Sequence, residues 1–440
     1  MLAVLVTFIA ILHMCGVLGL SMPKKLLTEV DHFKVKEETR IQGVMNLMKT
    51  SMLPVGYPHS VPKEYTHYQV LNSFQASCSY VREFLGLSRL LQGLGVGIGS
   101  TGVAPTTAAM NWLLRDGVGM VGGLFFASRF GSRINQNVKS WRLFADLINN
   151  VGLTLEIIAP AYPGMFIPLI CAAALCRSMC GISAGAANAV ISSHWGERNS
   201  NIADVQAKNG NQATVVNLSC LALALLFGRF SKGGMEAMKT STLAVVFSLL
   251  TLAHTVANIK LMSVLALRSL NISRLIVLAR SSITGKEGMD LRSVARAEPV
   301  LRLLLPSIGR STNCREDGIH YYCPVSTIEG KKVPRDVLEA ALIQYAEEPY
   351  FVLSHEGAVF CCFTGTETPL DRSRALFDCV VRQNLGNNSD LVQVKGTSLK
   401  AKADSMFPAF WKGLAEAGWD TDELSLQLLP PGAKCFRRHI

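Results

Sequence analysis

The feature that most constrains this chain lies between Met110 and Phe230, where ionisable residues interrupt helical segments that are otherwise apolar and small. A charge that is buried without a partner destabilises a fold by several kcal/mol, so apolar helices carry such residues only for a reason. These charges must therefore pair with one another or line a hydrated space. The residues concerned are Asp116, Arg142, Asp146, Glu156, Arg177, Asp204 and Lys208.

The composition favours a protein that meets a membrane. Of the 440 residues, 49% are hydrophobic and 17% are charged, which is more apolar and less charged than a typical soluble protein. The net charge of +11 is spread over loops and helix ends, without a stripe of Lys and Arg interleaved with aromatic residues. This pattern argues against nucleic acid as a partner and favours membrane lipid with anionic headgroups.

The twelve cysteines predict neither a metal site nor a disulfide framework. No CxxC pair occurs, and Cys171, Cys176, Cys180 and Cys220 lie inside apolar helical runs. Free cysteine behaves as a small buried hydrophobic residue. We therefore expect these cysteines to be structural.

Hydropathy and helix-breaking residues divide the chain into five parts. Residues 1–22 are predicted to form an apolar targeting or anchor segment, and residues 23–73 an N-terminal connector. Residues 74–265 are predicted to form a helical bundle, and residues 266–317 a basic helical linker. Residues 318–440 alternate between strand and helix periodicity, which predicts a small α+β domain.

The bundle should contain six helical segments, because proline and glycine residues punctuate the sequence between them. Only the sixth segment holds a clean uncharged run that is long enough for a confident membrane span. The six segments run about Phe74–Gly99, Thr106–Ala127, Lys139–Ile158, Gly164–Ser193, Ile202–Phe230 and Lys239–Met262.

Small residues share one face of the second segment with an acid. Asp116, Gly119 and Gly123 follow one another at helical spacing, which predicts close approach of a neighbouring helix. A buried acid on such a face requires a cationic partner, and the sequence leaves Arg142 and Arg177 both open as candidates.

The third segment carries a polar stripe. Asp146, Asn149 and Glu156 fall within about a third of the helix circumference, and Arg142 lies one turn before Asp146. Such a stripe is either a solvated face or an internal polar seam, and the sequence does not choose between them.

Arg177 stands alone among Cys, Ala and Leu in the fourth segment. A guanidinium group cannot lose its charge, so Arg177 must either pair with Asp116, Asp146 or Glu156 or bind an anionic ligand.

In the fifth segment Asp204, Lys208 and Gln212 stack at four-residue steps and support the helix locally. No Gly/Ser/Thr-rich phosphate cup follows Lys208, so the sequence does not support a Schiff base with pyridoxal phosphate.

An ordered series of motifs across about residues 53–280 resembles the Root UVB Sensitive family, whose shared domain is also named for vitamin B6 photoprotection and homeostasis. The resemblance implies a membrane-associated protein that acts in light-stress response and vitamin B6 homeostasis, in a plastid or endomembrane. It also implies pairing with another family member as a homodimer or heterodimer. The motifs are LPVGYPHSVPKEYTHYQVLNSFQ, GLGVG, NWLLRDGVGMVGGLFFAS, KSWRLFADLINNVG, GISAGAANAVISSHWGERNSNIADVQAKNGNQATVVNL and ALRSLNISRL.

The predicted fold class is mainly α, with a six-helix membrane-embedded bundle followed by a small α+β C-terminal domain. The sequence offers no nucleophile with its base, no metal set and no phosphate loop, so we predict a non-enzymatic protein without a resident cofactor. Its predicted function is to bind or move a small anion, with pyridoxal phosphate or another B6 vitamer as the candidate ligand; the alternative is a protein-interaction scaffold. The hypothetical binding site comprises Arg115, Asp116, Arg142, Asp146, Asn149, Glu156, Arg177, Asp204, Lys208 and Gln212.

Overall fold

The structure is a computed structural model that describes residues 46–93, 105–197, 201–230, 240–285, 290–298, 314–316, 318–321, 323, 328, 333–385 and 396–424. The predicted targeting segment lies outside the described residues, as does the predicted connector up to residue 45. The chain divides into two compact units. The first unit comprises the described residues of Met1–Ser132 and Trp141–Met262, and the second those of Arg133–Ser140 and Ser263–Ile440.

Six long helices account for most of the first unit's described residues, and the prediction of a mainly helical chain is confirmed. A shorter helical segment at residues 46–52 precedes them. The long helices are α1 (Tyr65–Gly93), α2 (Pro105–Phe130), α3 (Val138–Ile158), α4 (Phe166–Gly196), α5 (Ile202–Phe230) and α6 (Thr240–Val264).

Helix α1 begins earlier than the sequence predicts, because residues assigned to the connector already bury one face. Tyr65, Tyr68, Gln69 and Ser73 are buried at steps of three, one and four residues, which is the spacing of a single helix face. Tyr65 and Tyr68 both pack against Trp195 of α4, with ring centroids 5.6 Å and 5.1 Å away. The predicted connector therefore ends before Tyr65 rather than at residue 73.

The predicted close approach at the small-residue face of α2 is confirmed, and the neighbour is α4. A Cβ atom at Gly119 would lie 3.3 Å from the main-chain oxygen of Ala174, and one at Gly123 would lie 2.3 Å from Ser178 Oγ. Glycine at these positions allows the two helices to pack at short distance.

Among the described residues, three helices are long and apolar enough to cross a membrane, whereas the sequence alone favours one. They cover Val138–Ala161, Pro163–Gly196 and Ser241–Val264. The first two stretches carry charged residues and therefore lack a clean uncharged run, but each contains a window with enough apolar residues to outweigh those charges.

The second unit is built around two small sheets and five helices of the described residues. The elements are β1 (Ser269–Leu270), α7 (Ile272–Thr284), α8 (Leu291–Ala297), β2 (Cys314–Glu316), β3 (Ile319–Tyr321), α9 (Arg335–Gln344), β4 (Tyr350–His355), β5 (Ala358–Phe363), α10 (Pro369–Leu385), α11 (Gly396–Glu416) and β6 (Asp420–Leu424). The larger sheet has the strand order β2-β3-β5-β4, in which β3 and β5 are parallel and the other pairs antiparallel. The smaller sheet pairs β1 with β6 in parallel.

Strands β4 and β5 form an antiparallel hairpin. Glu356 and Gly357 both have positive φ, at 48° and 72°, which suits the tight turn that joins two antiparallel strands. Strand β2 lies in the stretch 266–317 that the sequence predicts as a basic helical linker, because three residues are too few to show a strand periodicity.

The predicted basic linker is also wrong as far as α7 and α8 are concerned. Leu275, Leu278 and Val294 from these helices are buried in the same core as strands β4 and β5 and helix α10. Helices α7 and α8 carry basic residues, but their apolar faces belong to the core of the second unit.

A buried ion triad joins three segments of the second unit. Glu298 Oε2 lies 2.9 Å from Lys139 Nζ and 3.1 Å from Arg274 Nε, and all three side chains are almost wholly inaccessible. Burial alone would raise the pKa of Glu298, but the charges and hydrogen bonds of Arg274 and Lys139 lower it to about 2. The carboxylate is therefore ionised at neutral pH.

Candidate functional site

A cavity of about 590 Å³ opens within the first unit between helices α1, α2, α3 and α4. Its volume is in the range of small-molecule sites. Its wall combines aromatic and aliphatic side chains with charged ones. The lining residues are Tyr80, Glu83, Phe84, Leu87, Leu90, Trp112, Arg115, Asp116, Gly119, Met120, Glu156, Ala174, Arg177 and Ser178.

Glu156 of α3 is the centre of the charged part of this cavity, which we call the Glu156 pocket. Its side chain is only 3% exposed, and its two oxygens lie 2.8 Å from Arg115 Nη2 and 3.6 Å from Arg177 Nη1. Gly86 of α1 makes room for the carboxylate, because a Cβ atom there would lie 3.2 Å from Glu156 Oε2. Three helices thus bring one acid and two arginines together.

The pocket settles two pairings that the sequence left open. The acid partner of Arg177 is Glu156 rather than Asp116 or Asp146. The cation beside Asp116 is Arg115, its neighbour in the chain, at 3.1 Å, rather than Arg142 or Arg177. The guanidinium of Arg115 also lies 4.9 Å from the ring centroid of Trp112.

The acids in the pocket wall outnumber the bases. Glu83, Asp116 and Glu156 face two arginines, and the described lining contains no lysine. Glu156 already offsets the charge of both guanidinium groups, so a simple anion would add negative charge to a wall that is acidic on balance. The charge balance therefore favours a ligand that carries a positive group as well as a negative one.

Arg142 and Asp146 do not reach this pocket and belong to a separate buried group. Arg142 Nη1 lies 2.7 Å from Asp146 Oδ2, and Asn258 of α6 also donates to that oxygen. Gln75 Nε2 lies 3.4 Å from Asp146 Oδ1 and 2.8 Å from His254 Nε2. Asn149 is buried on the same helix. We name Gln75, Arg82, Arg142, Asp146, His254 and Asn258 the Asp146 cluster.

Along α3, an apolar layer lies between the Asp146 cluster and Glu156. Leu85 of α1, Leu153 of α3 and the pair Leu243 and Phe247 of α6 pack together and are buried. On α3, Leu153 falls between the cluster residues and Glu156. The polar stripe on α3 is thus an internal seam, and it is divided into two parts.

Asp204, Lys208 and Gln212 form a third group, which holds the main chain of the segment before α1. Lys208 Nζ donates to the carbonyl of Thr50 at 2.6 Å, and Gln212 Nε2 donates to that of Met52 at 2.6 Å. Asn211 Nδ2 donates to the carbonyl of Ser51 at 2.8 Å, and Asp204 Oδ2 accepts from the amide of Val55 at 2.8 Å. These carbonyls are at the end of the helical segment 46–52, where no helical partner is available. We call this set the α5 clasp.

The single binding site predicted from the sequence is therefore wrong as a unit. Of its members, only Arg115, Asp116, Glu156 and Arg177 line the pocket. Helical periodicity gives the face of the helix on which a side chain lies. It does not give the helix that packs against that face, or the position along the helix axis at which the two meet. Gln75, Arg82, His254 and Asn258 were missed, although they are polar residues within apolar helices, which is the signal used for Arg177.

No group of three or more His, Cys, Asp or Glu side chains that could hold a metal ion occurs among the described residues. The cysteines within the described ranges carry free thiols. Cys361 and Cys362, neighbours on β5, are both buried, which shows that this strand is covered on both faces.

Comparison with known proteins gives one consistent result. Residues 38–285 match the family model described as the vitamin B6 photo-protection and homoeostasis domain. The chain is 29% identical to protein root UVB sensitive 3 of Arabidopsis thaliana over 394 residues, which cover 88% of this chain and 86% of that protein. It is 37% identical to RUS family member 1 of Dictyostelium discoideum over 230 residues, 52% of this chain and 42% of that protein. Protein root UVB sensitive 2, chloroplastic, of Arabidopsis thaliana is 26% identical over 261 residues, 58% of this chain and 56% of that protein. No solved structure matches.

Proposed function

Because the chain belongs to the Root UVB Sensitive family, we propose that it is a non-enzymatic membrane protein that binds a vitamin B6 vitamer in the Glu156 pocket. In this role it would act in vitamin B6 homeostasis and the response to UV light, as the names of the family and its members indicate. We place it in a plastid or endomembrane, since one relative is named chloroplastic.

The membrane proposal rests on the distribution of polar and apolar side chains between the interior and the surface of the first unit. Arginine, acid, histidine and amide side chains are buried in its interior, while large apolar side chains are exposed on its surface. Soluble proteins rarely expose contiguous apolar faces of this extent, whereas lipid covers them without penalty. The exposed large apolar side chains of α2, α5 and α6 include Met110, Leu113, Leu114, Met120, Val121, Leu124, Phe125, Leu218, Leu221, Leu225, Leu226, Val245, Leu249, Leu252, Val256 and Ile259.

We expect the protein to stay in the membrane pellet when native membranes are extracted with alkaline carbonate, because lipid covers its apolar faces. The measurement is the distribution of the full chain between pellet and supernatant. A peripheral protein of the same membrane, released by the same treatment, is the control. Release of this chain would contradict membrane embedding and would favour the alternative, a scaffold whose apolar faces are covered by a second family member.

The chemistry of the pocket supports a B6 vitamer as the ligand. A vitamer is a pyridine ring with a phenolic hydroxyl group, and at neutral pH its ring carries positive and negative groups together. Tyr80, Phe84 and Trp112 supply apolar and aromatic surface for such a ring. Arg177, whose side chain is 36% exposed, is the cation in the wall that is accessible to a phenolate or phosphate. Glu83 and Asp116 can face the positive side of the ligand.

Thermal stability of the detergent-purified chain should test this ligand. We expect pyridoxal, pyridoxine or pyridoxal phosphate to raise the melting temperature. At a ligand concentration of one hundred times Kd, binding should add about 2.7 kcal/mol to the free energy of unfolding. Arg177→Lys should weaken binding roughly tenfold, since lysine keeps the charge but loses the planar donor fork.

Arg129→Lys is the matched control for this experiment, because Arg129 of α2 is exposed and does not line the pocket. It should bind like the unaltered chain. The ligand assignment fails if none of the vitamers raises the melting temperature at millimolar concentration.

A further inference from the structure

The Asp146 cluster carries more buried positive charge than negative charge. Arg82 is 0% exposed and Arg142 is 8% exposed, yet Asp146 is the carboxylate that lies among them. Both guanidinium groups interact electrostatically with Asp146. Arginine keeps its proton even when it is buried, so one of the two charges has no full counter-charge within the cluster.

Arg82 is the arginine of the cluster that lacks a carboxylate partner at ion-pair distance within the described residues. Its guanidinium donates to Asn150 Oδ1, to Thr251 Oγ1 at 3.5 Å and to Ser79 Oγ at 3.4 Å, which are all neutral oxygens. Within the described residues no carboxylate lies at ion-pair distance from it. Glu83, the next residue on α1, attracts it more weakly from a position in the pocket wall. A buried cation with neutral partners alone is unfavourable in an apolar surrounding.

Three buried N–H groups of the cluster also have no acceptor. Arg82 Nε and Arg142 Nε lack a hydrogen-bond partner, and so does His254 Nδ1. The amide nitrogen of Gln75 faces both Asp146 Oδ1 and His254 Nε2, so Nε2 accepts a hydrogen bond and the ring proton is on Nδ1. The unpartnered atoms are therefore donors on three different helices, α1, α3 and α6.

We propose that the Asp146 cluster binds a small inorganic anion of halide size, with Arg82, Arg142 and His254 as its donors. An anion supplies the missing negative charge and the missing acceptor in one step. The size limit follows from burial, because none of the cluster residues is more than 8% exposed. The remaining unpartnered atom, Asn258 Oδ1, is an acceptor and takes no part. Arg177 of the Glu156 pocket is not part of the cluster, and buried Leu153 lies between Asp146 and Glu156 on α3, so a change at Arg177 should leave anion binding intact.

The test is a chloride titration of the detergent-purified full chain at constant ionic strength, with gluconate as the replacing anion because it is too large for the site. Chloride should raise the melting temperature in a saturating manner, by on the order of 5 °C well above Kd. Bromide should act in the same way. An identical melting temperature in chloride and gluconate overturns the proposal, whether or not any variant folds.

Variants locate the effect within the protein. Arg82→Gln removes the unmatched charge, so its melting temperature should not depend on chloride. Arg89→Gln, on the same helix α1 but hydrogen-bonded to Gln92, should keep the full chloride effect. Arg177→Lys should keep it as well. A chloride effect that persists in Arg82→Gln, or that is lost in Arg177→Lys, would place the anion elsewhere and overturn the proposal.

Discussion

Replacing Glu298 with glutamine is expected to destabilise the second unit by roughly 3–5 kcal/mol. The substitution keeps the shape of the side chain but leaves Lys139 and Arg274 buried without their shared carboxylate. Loss of one member of a buried ion group is costly because the remaining charges stay out of water. The two units need not unfold together, so the measurement is amide hydrogen exchange of peptides from α7, which should lose protection first.

Glu416→Gln is the matched control, since Glu416 is an exposed acid of the same unit that faces Lys412 at 3.7 Å. Exposed ion pairs contribute little, so we expect a change of less than about 1 kcal/mol. Equal effects of the two substitutions would show that the Glu298 triad is not buried as described.

The same carboxylate should give the second unit a specific sensitivity to acid. The pKa of Glu298 is about 2 in the folded chain and has an ordinary value of 4.5 when it is unperturbed. Its contribution to the free energy of unfolding is therefore complete above pH 4.5 and is lost as the pH falls toward 2. Hydrogen exchange of α7 should show this loss in the unaltered chain and not in Glu298→Gln.

Asp146→Asn is expected to destabilise the first unit by a similar amount, roughly 3–5 kcal/mol. It removes the carboxylate that Arg142 contacts at 2.7 Å and leaves two buried guanidinium groups with neutral partners alone. The measurement is the melting temperature of the detergent-purified chain, together with the fraction that elutes as a single species.

Asp116→Asn serves as the control for this second prediction. Asp116 is also an acid beside an arginine in the first unit, but its side chain is 42% exposed. We expect it to cost less than about 1 kcal/mol. A melting temperature that falls as far for Asp116→Asn as for Asp146→Asn would contradict the burial of the cluster.

The helices of the first unit could be predicted from the sequence because their ends have local causes. Pro105 begins α2, and Pro160 and Pro163 lie in the turn between α3 and α4. Fold class follows from such signals together with composition. The start of α1 was less predictable, since Tyr65 and Tyr68 are buried against Trp195, which is distant in sequence.

The grouping of the polar residues could not be predicted in the same way. Asp146 and Glu156 share a face of α3, but Leu153 between them packs with Leu243 and Phe247 and separates their surroundings. The position of this layer depends on where α6 packs along α3, and the helical periodicity of the sequence does not give that position. Its isolation in the sequence also does not reveal that Arg177 shares Glu156 with Arg115, which lies closer to that carboxylate.

The α5 clasp has a consequence for how this chain can vary. Lys208, Asn211 and Gln212 recognise carbonyl groups, which every amino acid provides, so side chains at Thr50 and Ser51 can change without loss of these bonds. Val55 is held by its amide, and there proline alone would remove the contact. We therefore expect side-chain substitutions in the clasped segment to be tolerated more readily than substitutions of Lys208, Asn211 or Gln212.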